Sequence, residues 1–226
     1  LFADVTGDGV PELLAVAGSN SNVQIKSSVT GSTIQSDYFN LSGNGMIIPG
    51  DINGDGKTDF FIFEDNDKPL KIAKVNPDLS MPVTTLGVNV SKIRNDAGDK
   101  ATKNFIVDFN ADGRSDYIQY DSTDSKLKVY LSDGNALIIP PPEKVITLDH
   151  NEYGKFGQAF MDMDRNGIPD FVRMDNTNNN YRIIVTFYNK DIKQISETVS
   201  TFTDLGEPGN QFFADANGDG FIDFII

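Results

Sequence analysis

Cysteine and tryptophan are absent from the 226 residues, and histidine occurs once, as His150. Without cysteine the chain has no disulfide framework, no thiolate metal centre and no cysteine nucleophile. A single imidazole excludes a multi-histidine metal site within the chain. Basic residues are also scarce: 19 Lys and Arg face 33 Asp and Glu, for a formal charge of −14. That balance argues against nucleic acid or an anionic membrane surface as a partner, because both require a basic patch. No apolar run approaches the roughly 18 to 20 residues of a membrane-spanning helix, so membrane insertion is not expected. What is present suffices for a folded domain: 38% hydrophobic and 10% aromatic residues are outside the disordered range.

The acid is not scattered. Five segments share one pattern, beginning at Asp4, Asp51, Asp108, Asp162 and Asp215, at intervals of 47, 57, 54 and 53 residues by subtraction. The second reads Asp51-Ile-Asn-Gly-Asp-Gly-Lys-Thr-Asp59 and the fifth Asp215-Ala-Asn-Gly-Asp-Gly-Phe-Ile-Asp223. Each is followed by a short apolar run: Leu13–Val16, Phe60–Phe63, Tyr117–Tyr120, Phe171–Met174 and Phe224–Ile226. Such runs read as strands buried on both faces. Turn clusters follow, then an alternating run such as Lys126–Leu131, then a more polar segment such as Val83–Val88 or Thr198–Phe202. No segment sustains a helical period. The expected unit is therefore four strands in about fifty residues, with the acidic loop between the first and second.

This organisation predicts an all-β chain, a β-propeller of four-stranded antiparallel blades, with four blades and a half blade present. The repeats are placed at 1–46, 47–103, 104–156, 157–210 and 211–226. Because the chain opens on a first strand and stops on a second, it reads as an excerpt of a larger propeller.

Each loop carries side-chain oxygen at positions 1, 3, 5 and 9 and glycine at position 6. Alternate oxygens turned inward around a sharp bend make a cage of hard ligands, the donor set that suits calcium. Position 7 varies freely, as it can if only its carbonyl is used. The predicted ligands are Asp4, Thr6, Asp8, Val10 and Glu12 in the first loop, and Asp51, Asn53, Asp55, Lys57 and Asp59 in the second. Asp108, Asn110, Asp112, Arg114 and Asp116 form the third set, and Asp162, Asp164, Asn166, Ile168 and Asp170 the fourth. Asp215, Asn217, Asp219, Phe221 and Asp223 complete the fifth. Up to five Ca2+ ions are expected, the first site being weakest because Thr6 replaces an amide and Glu12 an aspartate. An EF-hand is excluded: its position 12 should be glutamate, but is Ala15, Ile62, Gln119, Arg173 and Ile226 here. Three carboxylates per loop account for 15 of the 33 acids, and five divalent ions would bring −14 to about −4.

The pattern Phe-x-Asp-x-Asn-Gly-Asp-Gly-x-x-Asp before an apolar strand resembles the FG-GAP/VCBS repeat family of β-propellers. That family includes integrin α-subunit heads, propeller lectins, bacterial surface proteins and the propeller region of toxin-complex B components. Runs such as Asp170-Phe-Val-Arg-Met-Asp175 look most like the toxin-type repeats. The resemblance implies a non-catalytic calcium-binding scaffold or protein-interaction module in a secreted or surface protein, bacterial rather than eukaryotic, with virulence as the context. Its partner would be another protein or the remainder of a parent chain. A glycan-binding lectin or adhesin is the alternative, with Tyr38, Tyr153 and Tyr181 as candidate platforms; a hydrolase accessory domain is the second alternative. No enzyme is expected. His150 sits in a polar stretch, Leu148-Asp-His-Asn-Glu152, with no nucleophile or cleft signature around it. Pro140–Pro142 reads as a stiff connector, and Asn40 and Asn89 lie in glycosylation sequons.

Overall fold

Short apolar runs bounded by Asn, Asp, Ser and Gly form strands throughout a computed structural model that describes residues 1–17, 22–35, 45–64, 68–89, 102–121, 125–135, 144–148, 157–177, 180–202 and 212–225. The first sheet contains β1 (Phe2–Ala3), β2 (Glu12–Ala17), β3 (Asn22–Lys26) and β4 (Thr33–Gln35). The second contains β5 (Met46–Gly50), β6 (Asp59–Phe63), β7 (Pro69–Ala73) and β8 (Val83–Asn89). The third holds β9 (Thr102–Val107), β10 (Asp116–Asp121), β11 (Lys126–Tyr130) and β12 (Lys144–Thr147). In the fourth are β13 (Gly157–Met161), β14 (Asp170–Thr177), β15 (Asn180–Tyr188) and β16 (Gln194–Phe202). The last two strands, β17 (Phe212–Ala214) and β18 (Asp223–Ile225), pair alone. Neighbours in sequence are neighbours in each sheet, and all pairings are antiparallel.

Four apolar clusters hold the sheets face to face in chain order. Val5, Leu14, Val23 and Ile25 of the first sheet meet Phe60, Ile62 and Val75 of the second. Ile52, Phe61, Phe63 and Ile72 of the second meet Tyr117 and Tyr130 of the third. Ile118, Tyr120, Leu127 and Val129 of the third meet Phe171 and Tyr188 of the fourth. Val172, Met174 and Val185 of the fourth meet Phe213 and Phe224 of the fifth. The second strands β6 and β10 are thus covered on both faces, as their unbroken apolar sequences require.

The four-stranded antiparallel unit is as expected, but the propeller is corrected. Among the described residues the five sheets are separate, and their series is not closed into a ring. At its open first face Phe2 is 63% exposed and Leu1 50%. The physical reason is that periodic strands and a recurrent loop specify one sheet and its contact with the next. They do not specify the angle between successive sheets, which decides whether a series closes. With the ring go the blade description and the FG-GAP/VCBS, toxin and virulence context built on it.

Candidate cation-binding loops

Each acidic loop joins the first and second strands of a sheet, and its backbone is held by its own carboxylates. The position-1 aspartate accepts from the N–H groups ahead of it. In the second loop Asp51 takes Gly54 N–H at 2.7 Å, Asp55 N–H at 3.2 Å and Gly56 N–H at 2.8 Å. Asp4, Asp108, Asp162 and Asp215 repeat the bond to position 6. Position 6 has φ between 82° and 87° in every loop, which glycine adopts without strain.

A second left-handed position had no expectation attached to it. Position 4 is glycine in loops one, two and five but Ala111 and Arg165 in loops three and four, with φ of 54° and 63°. The sequence signal was present in three of five loops and hidden by the other two.

Positions 3 and 5 form a donor–acceptor pair. Asn53 donates to Asp55 at 3.0 Å, and Asn110 and Asn217 repeat the contact with Asp112 and Asp219. In the fourth loop the residue types are exchanged and so is the direction: Asn166 donates to Asp164 at 3.0 Å. One amide and one carboxylate satisfy the pair in either order. Thr6 of the first loop supplies no such amide, and its buried hydroxyl has no partner among the described residues. The position-5 side chain also accepts from the position-7 N–H, for example Lys57 to Asp55 at 3.0 Å and Val10 to Asp8 at 2.8 Å.

The ninth acid does more than close a cage. Asp59, Asp116 and Asp170 are fully buried. One oxygen of each accepts from position 2: Ile52 N–H at 3.1 Å, Phe109 N–H at 3.0 Å and Met163 N–H at 2.9 Å. The other accepts from the chain leaving the third strand: Val75 N–H at 2.7 Å, Ser132 N–H at 2.8 Å and Tyr188 N–H at 3.2 Å. Glu12 and Asp223 make the position-2 contact, through Val5 N–H at 2.9 Å and Ala216 N–H at 3.0 Å. Burial raises Asp59 and Asp170 to about 6 and Asp116 to about 7. The N–H donors pull these values down, and the other carboxylates of each loop push them up.

Position 2 carries no ligand oxygen in its side chain. Val5, Ile52 and Phe109 are nonetheless wholly buried and anchor the loop in the cluster between sheets. The apolar character of this position was the available signal. Position-7 side chains lie along neighbouring segments: Lys57 flanks Gly7, and Arg114 flanks Gly54 and Gly134. Ile168 is buried, while Val10 and Phe221 are exposed.

In the fourth loop the carboxylate oxygens of Asp162, Asp164 and Asp170 lie within 4.8 Å of one another. Three hard oxygens at that spacing fit a divalent cation such as calcium. His150, Tyr38, Tyr153, Asn40 and Pro140–Pro142 lie outside the described residues; Tyr181 lies in β15 with its side chain outside the description. Among the described residues no helix is long and apolar enough to cross a membrane.

No protein-family model matches the chain, and no curated protein matches it by sequence. The FG-GAP/VCBS resemblance is corrected by the structural likeness, which is to a lectin fold. Among solved structures, an Agrocybe aegerita lectin that recognises non-reducing terminal N-acetylglucosamine superposes with a TM-score of 0.70 at 19% identity. That match covers 99% of this chain and 58% of the lectin, so the chain spans less than two thirds of that protein's length. BBS1N in complex with ARL6DN is similar at a TM-score of 0.42 and 11% identity, covering 95% of this chain and 59% of that one. Composition excludes a cysteine nucleophile, and the likeness to the lectin is one of fold. The chain shares the all-β fold of that lectin.

Proposed function

We propose that this chain is a carbohydrate-binding module whose acidic loops are stapled by calcium. The observation that carries the reading is the likeness of 99% of the chain to a lectin that recognises terminal N-acetylglucosamine. Fold alone does not specify a ligand, so the proposal is a glycan binder, with terminal N-acetylglucosamine as the first sugar to test. A glycan array probed with the whole chain in calcium is the decisive experiment. Saturable binding to terminal acetamido sugars, competed by the free sugar, supports the proposal; a blank array at high protein concentration overturns it.

The cation role rests on the Asp162, Asp164 and Asp170 cluster and on four further loops of the same design. Calcium would neutralise three carboxylates per loop and convert binding energy into folding energy. Sites of this kind in extracellular modules bind at about 10⁻⁴ to 10⁻³ M, which suits a secreted or surface protein in calcium-rich surroundings. Thr6, without an amide, makes the first loop the weakest. Chelation should lower the melting temperature and calcium, but not magnesium, should restore it; an unchanged melt overturns the cation role without touching the glycan reading.

A further inference from the structure

The outer strands of the four complete sheets differ in how they end them. β4 has three residues and β12 four, too short to template another strand. β8 has seven, but its ladder with β7 shifts register between Pro69 and Lys71. β16 has nine, and from Ser196 to Phe202 it runs in unbroken register with β15. Its one irregularity lies at the start, where Tyr188 faces Gln194 and Phe187 faces Ser196. Among the described residues β16 has a strand on one side only.

This edge lacks the usual protection. Ser196–Phe202 contains no lysine, arginine or proline, and its residues are exposed apart from the half-buried Glu197 and Phe202. Exposed charge is low: the one acid, Glu197, is drawn to the buried Arg173 at 3.0 Å and accepts from Thr186 at 2.9 Å. A chain of net charge −14 thus presents one long edge whose only charge is already neutralised.

The regular segment is also self-complementary. Antiparallel pairing of all seven residues with a second copy places Val199 on the two-fold axis. Thr198 then faces Ser200, Glu197 faces Thr201, and Ser196 faces Phe202. No acid faces an acid, the hydroxyl pair can hydrogen-bond, and the axis carries a β-branched contact. Val199, 41% exposed in one copy, gains its counterpart as cover.

We propose that β16 is the self-association edge of this protein, joining two fourth sheets into one eight-stranded sheet. The occupant is a second copy of the same chain. This goes beyond the glycan reading and does not depend on it, although a dimer would double any ligand sites and raise avidity on a multivalent surface.

Sedimentation of the whole chain from about 1 to about 200 µM spans the range in which a micromolar dimer forms. The expected result is a rise from 24.8 kDa to twice that mass, strengthened by salt because the rest of the surface is acidic. Val199→Lys sets two ammonium groups on the axis at a half-exposed position, so it should remain monomeric with an unchanged melt. If that variant is poorly folded, Val199→Cys in this cysteine-free chain decides instead. A short bismaleimide should link it into dimers, whereas Val29→Cys, at a turn residue 80% exposed, should give only the collisional background. A monomer at every concentration, a dimer indifferent to Val199→Lys, or equal crosslinking of the two cysteine variants overturns the proposal.

Discussion

The junction between the second and third sheets and the junction between the third and fourth carry the same loop motif and both bury apolar side chains, but they differ in what is added to that packing. At the first, Ser115 N–H donates to the Asp51 carbonyl at 2.6 Å, and Ser115 Oγ accepts from Asp51 N–H at 3.0 Å. Ser132 Oγ donates to the Ile52 carbonyl at 2.6 Å. Gly50 leaves no room for a side chain there, since an added Cβ would meet Ile106 at 2.5 Å. At the second junction the position equivalent to Ser115 is Pro169, which has no N–H to donate. Further aromatic contacts are added there. Phe105 and Phe109 of the third sheet each meet Phe160 of the fourth edge-on at 5.2 Å, Phe109 also meets Tyr188 at 5.1 Å, and Tyr120 lies against Phe171 at 5.5 Å. A repeat can thus conserve its loop while adding directional backbone bonds to the apolar packing at one junction and further aromatic contacts at the next.

The largest expected effect tests what the two junctions share, the buried ninth acid. Asp59, Asp116 and Asp170 have folded-state pKa values of about 6 to 7 against an ordinary 3.8. Raised values mean that the folded chain holds these protons more tightly. Their stabilising contribution is full below 3.8 and is lost as pH rises through 6 to 7. In metal-free buffer the melting temperature should therefore rise as pH falls from about 7.5 to about 5. Calcium should reduce that dependence by favouring the ionised form. A metal-free melt that falls over this range would refute the assignment.

Breaking the aromatic junction is the next largest. Phe171→Ala removes a fully buried ring that touches Phe160, Phe105 and Tyr120, and should cost about 3–5 kcal/mol in denaturant unfolding. Asp116→Ala leaves the Phe109 and Ser132 N–H groups without their acceptor, for about 2–4 kcal/mol by the same measurement.

Ser115→Pro sharpens the comparison directly, because it copies the fourth loop's residue into the third. It removes both contacts with Asp51 and should cost about 1–3 kcal/mol; a neutral result would mean that the hydrogen-bonded junction depends on area after all. Smallest is Ala111→Gly, which relieves a left-handed alanine at φ 54° and should stabilise by up to about 1 kcal/mol in a thermal melt. Arg165→Gly should not, because Arg165 lies over Phe221 at 4.8 Å and donates to the Asp219 carbonyl at 3.3 Å.

Much of one sheet was legible in the sequence. The apolar runs Phe60–Phe63 and Tyr117–Tyr120 fall in β6 and β10, and Val83–Val88 lies within β8. The loop's glycine at position 6 was legible as a bend because only glycine takes that φ without strain. The ninth acid was visible as a residue, but not as the pin between loop and third strand. That role needs Val75, Ser132 or Tyr188, 16 to 18 residues further on. Arg173 was visible only as a residue that is not glutamate. Its partnership with Glu197 spans 24 residues and two strands.

By itself the sequence determined the all-β character, the four-strand repeat and the carboxylate-rich loops, because strand periodicity, turn chemistry and a nine-residue loop are local. It also set the limits drawn by composition, namely no cysteine chemistry and one histidine. Only the tertiary structure decided that, among the described residues, the sheets form an open series, which junction adds backbone hydrogen bonds between loops, and which outer strand is long and regular. Those features depend on the angle and area between units, and residues far apart in the chain fix both.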